Sequence, residues 1–331
     1  MMRSGSKTFL FIIFIFAILT LLFSPLIGSS PVNFIDAFND PSSVSGRILL
    51  SIRMPRIAFA FLVGAGLSIV GAIFQALLRN DLATPYTLGV SSGGAFGAVV
   101  AIKSGIIFNI FIFSSVGLFS IAGSLLSILI IYLIASGDRE LSTYTLILAG
   151  VTISLFFSAF TLFIHYIADF TETYRMVHWL MGALDVTDWN YPLAILIILA
   201  VVFGYAYVNR RAFNLILAGN ELALSKGVQV DRLQKWSFFL ASILVGIIVS
   251  IAGPIGFVGL IIPHVLRLLT GPDHRVLFPG TILLGGSFLV WCDTLARTII
   301  SPAELPVGII TSILGGPFFI YLLIRKKSER V

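Results

Sequence analysis

The side chains able to do chemistry in this chain are few, and they lie near the ends of apolar segments. Asp293 and Arg297 are one helical turn apart, a spacing that predicts a local ion pair. His165 and Asp169 lie near another segment end, and a lone His264 is more typical of a packing residue than of a ligand. Ion-driven carriers keep such groups mid-membrane, where burial is costly. The sequence shows no relay of that kind, so any uphill transport must draw its energy from elsewhere.

Motifs for catalysis or metal binding are missing from the sequence. Ser6, Lys7 and Thr8 resemble the end of a phosphate-binding loop, but its glycines are absent and an apolar segment follows. Cys292 is the only cysteine, which excludes a thiolate cluster and a disulfide framework. The four histidines lie on different segments without metal-ligand spacing: His165, His178, His264 and His274. The sequence therefore predicts no enzyme, no cofactor and no metal site.

A pair of arginines directly precedes the second apolar segment, in the stretch Arg53–Met54–Pro55–Arg56. One interpretation is that both side chains snorkel, with their stems along apolar surface and their charges in water. The other is an electropositive rim that meets an acidic partner and serves orientation and association rate. The residues alone leave both interpretations open.

The composition sets the class of protein. Of the 331 residues, 58 % are hydrophobic and only 11 % are charged, whereas a soluble domain carries about 25 % charged residues. The chain is therefore predicted to be an all-α polytopic membrane protein. Its net charge of +6 fits the enrichment of lysine and arginine in cytoplasmic loops and does not indicate nucleic acid.

Ten apolar segments are long enough to be candidates for helices that cross a bilayer. They are residues 9–27, 57–78, 88–102, 110–135, 142–168, 191–208, 234–252, 255–270, 277–299 and 306–324. Threading them places fifteen of the 21 lysines and arginines on the side of the two termini and six on the other. The positive-inside rule then predicts cytoplasmic termini. We expect one transmembrane domain over residues 1–331, with the first segment retained because it exceeds a signal-peptide core.

The longest polar interlude in the second half is Ala218–Trp236. Asn220 is predicted to cap a short helix that Gly227 closes, and Asp231 to cap the next helix with Gln234 in a capping box. Two helix starts so close together predict a compact cytoplasmic protrusion. We interpret it as the place where another protein pushes on this one.

Two short segments, 88–102 and 255–270, are rich in glycine and proline and hint at an internal repeat of four or five helices per half. The first carries glycines at four-residue spacing, a pattern that lets helices approach closely. The last segment carries small residues at the same spacing. These positions are Gly89, Gly93 and Gly97 in the first, and Gly308, Ser312 and Gly316 in the last.

Several motifs follow one another in the order of a known family, from about residue 50 to the end of the chain. They are Arg53-x-Pro55-Arg56, Gly64-Ala65-Gly66-Leu67, Gln75, Arg79-Asn80-x-Leu82-Ala83-x-Pro85-x-x-Leu88-Gly89, Phe257-Val258-Gly259-Leu260-x-x-Pro263-His264-x-x-Arg267, Gly271-Pro272-Asp273-His274-Arg275, Asp293-x-x-Ala296-Arg297, Glu304-Leu305-Pro306-Val307-Gly308 and Gly315-x-Pro317-Phe318. The chain thus strongly resembles the permease subunit of ABC importers for iron–siderophores, haem and cobalamin.

The resemblance implies the type II ABC importer permease fold, an internal repeat, and a location in the cytoplasmic (inner) membrane. Expected partners are two cytoplasmic ATPase subunits, an extracytoplasmic substrate-binding protein, membrane lipid, and a second permease subunit, either a copy (homodimer) or a paralogue. The cargo expected first is a ferric siderophore, with haem and cobalamin as alternatives. The rival hypothesis is an ion-coupled secondary transporter of a small organic solute, which the missing mid-membrane carboxylates disfavour.

The resemblance also implies roles for individual residues. Arg53, Arg56 and Arg297 match arginines that meet glutamates of the binding protein. The cytoplasmic coupling segment, about residues 211–235, is expected to contact the ATPase through Gly219, Asn220, Glu221, Ala223, Leu224 and Gly227. Residues 175–182 resemble a short outer helix beside the pathway, and the cytoplasmic gate is expected at Ser142, Thr143 and Tyr144.

Two positions depart from the family pattern: Asp81 replaces a usual proline, and Lys226 replaces a usual leucine. Lys226 lies in the coupling segment, so it puts the identity of the ATPase partner in question.

Overall fold

The computed structural model describes residues 4–28, 30, 32–135 and 143–328, and helices dominate these residues. The elements in chain order are α1 (Ser4–Phe23), α2 (Phe34–Asn39), α3 (Val44–Gly46), α4 (Met54–Leu77), α5 (Val90–Ser104), β1 (Asn109–Ile110), β2 (Phe113–Ser114), α6 (Ser115–Ala135), α7 (Thr143–Tyr166), α8 (Phe170–Leu180), α9 (Asn190–Val208), α10 (Arg210–Ala218), α11 (Asn220–Ser225), α12 (Val230–Ala252), α13 (Val258–Thr270), α14 (His274–Thr298) and α15 (Val307–Ser328). The two strands form one small antiparallel hairpin.

The all-α prediction is confirmed, and each of the ten predicted segments coincides with one helix. Within the described residues, seven helices are long and apolar enough to cross a membrane: α1, α4, α6, α7, α9, α12 and α14. Helices α5 and α13, of 15 and 13 residues, and α15, of 22 residues, account for the other three predicted segments. The structure is therefore consistent with ten membrane helices.

The second segment begins earlier than the sequence predicted. Helical structure is continuous over Val44–Leu77 because a π-helical stretch, Arg47–Arg53, joins α3 to α4. Pro55 is tolerated because it lies in the first turn of α4, where a missing N–H costs least. Arg53 and Arg56 thus lie within this helical stretch and not directly before it, which corrects the predicted boundary at residue 57.

Helix α4 is the centre of the bundle. Inside the structure, 83 % of the apolar window of Val44–Leu77 is buried, against 28 % for each of α1, α7 and α9. Helices α9, α12, α13 and α14 surround α4, with apolar side chains such as Phe59, Phe74 and Ile69 fully buried between them. The exposed apolar helices α1, α7 and α9 are left to face lipid or partner subunits.

Glycines allow neighbouring helices to touch backbone to backbone. A Cβ atom added to Gly97 of α5 would lie 2.0 Å from the carbonyl oxygen of Phe119 in α6, and one added to Gly93 would lie 2.4 Å from that of Gly123. The close-packing face predicted at these glycines is confirmed. Gly89 has a different role, since it precedes α5 with a φ of 74°.

Glycines also bring α4 into close backbone contact with α13 and α14. An added Cβ at Gly64 would lie 2.3 Å from the Gly285 carbonyl oxygen of α14, and one at Gly71 would lie 1.9 Å from the Gly259 oxygen of α13. In α15, an added Cβ at Gly308 would lie 2.2 Å from the carbonyl oxygen of Met181, whereas Gly316 faces open space. The prediction of close packing along α15 is therefore wrong for Gly316.

Replacing Gly97 by alanine tests this packing. We expect G97A to be destabilised by about 1–3 kcal/mol, because its Cβ overlaps backbone that cannot rotate away. The control is Gly204→Ala in α9, where an added Cβ meets nothing within 4 Å and alanine favours the helix by up to about 1 kcal/mol. The thermal unfolding midpoint of the detergent-solubilised chain measures both. Equal midpoints for the two variants would contradict the close backbone contact of α5 with α6 at Gly97.

Candidate functional sites

The end of the bundle that is predicted to face outward, called the outer side below, carries a cluster of charged side chains around Arg56. Its Nη2 donates to Asp293 Oδ1 at 2.9 Å, and its Nε lies 3.1 Å from the same oxygen. Its Nη1 lies 2.9 Å from Asp185 Oδ1 and 2.7 Å from Glu304 Oε2. The Arg56 side chain is only 11 % exposed. One guanidinium thus joins α4 to α14 and to the loops before α9 and α15.

Asp293 is the buried acid of this outer cluster. Its side chain is 1 % exposed, and Arg297 Nε donates to its Oδ2 at 3.0 Å. The predicted i,i+4 ion pair is therefore confirmed. Because Arg56 binds the other oxygen, one carboxylate neutralises two cations. The pairing offsets desolvation that either buried cation alone would suffer.

Arg53 uses backbone oxygens in place of a carboxylate. Its Nη1 donates to the carbonyl oxygen of Pro25 at 2.8 Å, and its Nη2 donates to that of Ser30. The residue is buried, and its guanidinium occupies the space beside Gly28 where a side chain would begin. Arg53 therefore ties the chain after α1 to the start of α4.

Arg53, Arg56 and Arg297, the residues predicted to form an electropositive docking rim, are all largely buried. Their side chains turn inward, because internal acceptors are available to each. Their role in docking stays a prediction. Sequence reasoning identified Asp293 as a partner of Arg297, but it missed Asp185 as a partner of Arg56. Asp185 lies in an irregular loop more than a hundred residues away, so only the tertiary fold brings the two together.

The opposite end of the bundle carries the coupling segment, which is built from two short helices. Gly219, with a φ of 136°, interrupts the helical structure between α10 and α11. Gly227, with a φ of 81°, ends α11, and the Val228 N–H donates to the carbonyl oxygen of Ala223 at 3.0 Å. The predicted closure by Gly227 is confirmed.

The predicted helix caps are wrong. Gly219 holds the capping position of α11, and Asn220 is its first helical residue. Gln229 precedes α12, which places Asp231 inside the first turn, and no side-chain cap bond is formed. Because glycine can adopt a positive φ, the chain turns at Gly219 and α11 begins there without a side-chain cap.

Within the coupling segment, the predicted contact residues point in different directions. Ala223 is completely buried against the bundle, whereas Glu221 and Leu224 are exposed. Leu224 exposes 49 % of its surface and the neighbouring Leu222 43 %. Helix α11 has six residues and lies outside the membrane-spanning helices. Contact between this short helix and an ATPase stays a prediction.

A polar joint fixes the coupling segment to α14. Asn214 of α10 donates from Nδ2 to Asp273 Oδ1 at 2.9 Å, and its Oδ1 accepts from the His274 N–H at 3.0 Å. The same oxygen lies 2.6 Å from His274 Nδ1. Partial burial opposes ionisation of Asp273, but hydrogen bonds from the Arg275 N–H and from Asn214 keep its pKa below the ordinary value. The sequence motif contained Asp273 and His274, but no signal pointed to Asn214.

An apolar cleft of 550 Å³ lies between the loop after α4 and the starts of α13 and α15. Its walls include Tyr86, Met181, Phe257 and Ser312. Of the predicted gate residues, Ser142 lies outside the described residues and Thr143 begins α7. Tyr144 is exposed and does not line this cleft. Its role in a gate stays a prediction.

The predicted short outer helix corresponds to α8, which begins five residues earlier than the matched stretch 175–182. Asp169 caps α8 in a capping box with Glu172, and Lys103 of α5 lies 2.7 Å from Glu172. The hydrogen bond from Lys103 is the first cause that lowers the pKa of Glu172. This carboxylate therefore stays ionised at neutral pH and holds α8 against α5.

The departure at Asp81 has a structural partner. Arg267 of α13 pairs with Asp81 in the turn after α4, and it also donates to the side chain of Gln75. A carboxylate in place of the family's proline thus fixes this turn to α13 by charge. Lys226, the second departure, is exposed at the end of α11.

These features define a class: a multi-pass membrane permease with polar joints at both ends of an apolar bundle. The model of the FecCD transport family matches residues 13–325. This chain belongs to that family. Its relatives are permease subunits of ABC transporters, and it is a transport component of the same kind and not an enzyme.

Two relatives and one solved structure illustrate the similarity. The uncharacterized ABC transporter permease protein YvrB of Bacillus subtilis is 42 % identical over 85 % of this chain and 79 % of that protein. The cobalamin import system permease protein BtuC of Halobacterium salinarum is 42 % identical over 83 % of this chain and 73 % of that protein. The fold matches an inward-facing conformation of an ABC transporter assigned to the metal-chelate type, with a TM-score of 0.83 and 31 % identity over 96 % of this chain and 99 % of the other.

Removing the buried carboxylate tests the outer cluster. We expect Asp293→Asn to lose about 3–5 kcal/mol of stability, because two buried arginines then lack their shared counter-charge. The matched control is Asp188→Asn, an exposed carboxylate that bonds only to its neighbour Asn190. Thermal unfolding in detergent measures both variants. A drop of similar size in the two would show that Asp293 is not a structural counter-ion.

Proposed function

We propose that this permease moves a metal chelate inward across the cytoplasmic membrane, using ATP hydrolysed by partner subunits. The observation that carries the proposal is the likeness over nearly the whole length to an ABC transporter of metal-chelate type. A ferric siderophore is the cargo we put first. Cobalamin and haem are alternatives, and the similarity to a cobalamin import permease supports the former.

The pathway we propose runs along the apolar cleft between Tyr86, Phe257 and Ser312. A wall without fixed charge binds a chelate weakly, so the cargo can leave it again. A second permease subunit, a copy of this chain or a paralogue, completes the pathway. Helix α7 supports this arrangement, since Leu155, Phe156 and Phe163 form an exposed apolar face.

Energy enters through the coupling segment. Two ATPase subunits, one for each permease, would contact α11 on the cytoplasmic side, where lysine and arginine are concentrated. In this orientation both termini are also cytoplasmic. The joint between Asn214 and His274 gives a movement of α10 and α11 a direct route into α14.

The outer face receives the substrate-binding protein at the cluster of Arg53, Arg56 and Arg297. Charge on such a surface guides orientation and association rate. Of the three, Arg56 is the arginine whose carboxylate partners reach the surface, so it is the first contact that we assign to an acidic group of the docking protein.

An exposed leucine tests the coupling role. We expect Leu224→Asp to abolish co-purification of the ATPase, because a charge replaces an apolar contact without disturbing the bundle. Val44→Asp, at a still more exposed apolar position in α3 at the opposite end, is the control. Quantified ATPase recovery with each tagged permease is the readout. Undiminished recovery with Leu224→Asp would remove α11 from the proposed contact.

Uptake into vesicles tests the energy source. Vesicles containing the permease, its ATPase and the substrate-binding protein are expected to accumulate a radiolabelled ferric trihydroxamate only when supplied with ATP. A protonophore should leave that uptake intact. Accumulation without the ATPase that collapses with the proton gradient would instead favour an ion-coupled secondary transporter.

A further inference from the structure

We infer that Asp185 and Glu304 are internal competitors for Arg56, which they occupy in the free permease and release to a carboxylate of the docking protein. The inference rests on the proposed docking at the outer face. It assigns a role to two acidic residues outside the arginine cluster predicted from the sequence.

The geometry divides the partners of Arg56 into a fixed one and two exchangeable ones. Asp293 binds Nε and Nη2 and is 1 % exposed. Asp185 and Glu304 both bind Nη1, and their side chains are 61 % and 38 % exposed. The inner edge of the guanidinium is thus committed to the bundle, while Nη1 faces the surface. An incoming carboxylate can reach that nitrogen without disturbing Asp293.

The charges explain why the exchange costs little. The cluster of Arg56, Arg297, Asp293, Asp185 and Glu304 holds two cations and three carboxylates. Two carboxylates on a single nitrogen repel each other, and an ion pair whose acidic member is exposed to water and salt is weakened by screening. The docking protein's carboxylate can therefore replace either one, at a net cost that its other contacts offset.

The exchange would loosen the outer entrance. Asp185 belongs to the loop between α8 and α9, and Glu304 to the loop between α14 and α15. Both loops border a narrow crevice with Arg56, His178 and Pro306. While Nη1 of Arg56 binds both carboxylates, it links the two loops next to the start of α15. This link is called the tie below. Docking would release that tie at the place where the cargo is delivered.

Affinity measurements on the full-length permease in lipid nanodiscs test the competition. The probe is the substrate-binding protein that tagged permease captures from its own membranes, purified and identified by mass spectrometry. The double variant Asp185→Asn/Glu304→Gln is expected to lower its Kd roughly three- to tenfold at low salt, with the gain shrinking at high salt. The control Asp188→Asn removes one of the loop's negative charges without touching Arg56, where the double variant removes two charges in all, and the Kd of the control should change less than twofold.

The possible results separate the inference from the proposal beneath it. If the wild-type permease captures no substrate-binding protein, or if the purified protein does not bind it in nanodiscs, docking itself is refuted. Wild-type binding with an unchanged or weaker double variant would overturn the competition. An equal gain in Asp188→Asn would also overturn it, since general surface charge would then explain the effect.

A distance measurement provides a readout that is independent of affinity. Spin labels at the exposed positions Thr187 and Ala303, in a Cys292→Ala background, report the separation of the two loops. The binding protein should lengthen this distance in the otherwise wild-type chain. The double variant should show the longer distance without the partner. An identical short distance in both free forms would contradict the tie.

Discussion

The constraint on which this structure depends is that a charge inside an apolar bundle must have a partner. Asp293 satisfies it for two arginines at once, at the end of α14 where α4 crosses. Without that carboxylate, Arg297 would carry an uncompensated desolvation cost of several kcal/mol, and Arg56 would keep only its partners Asp185 and Glu304. The cluster therefore fixes how α4 and α14 meet at the outer side, and the glycine contacts between Gly64 and Gly285 continue the same seam inward.

Helix α14 links the two ends of the molecule. It has 25 residues, which at ~1.5 Å per residue span about 37 Å. Its first residue, His274, is held by Asn214 of α10 at the coupling side, and Asp293 near its last turn holds Arg56. Although Pro279 lies inside it, α14 is one helix from His274 to Thr298. The inner joint and the outer cluster are therefore held by the same helix, without a chain of charges through the membrane.

Much of the fold was predictable because lipid leaves few alternatives for the backbone. Apolar length identified all ten helices, and four-residue glycine spacing identified the contact between α5 and α6 at Gly93 and Gly97. The helix start before Arg53 was missed, because the predicted segment began only at residue 57, whereas the chain is already helical from Val44 and Pro55 lies at the start of α4 within that stretch. Asn220 and Asp231 were also misjudged as caps, because local propensity suggested side-chain caps where Gly219 precedes α11 and Gln229 precedes α12 without any side-chain cap bond.

The sites were predictable only where both partners lie close together in the sequence. The Asp293–Arg297 pair follows from its spacing, but the partners of Arg56 come from three separate segments and those of Asn214 from a fourth. Such long-range polar contacts have no periodic signature. An exposed member such as Asp185 can exchange partners in an assembly, whereas the buried Asp293 cannot. The inward orientation of the arginines is therefore compatible with an outer docking role, provided that the surface partners of Arg56 yield first.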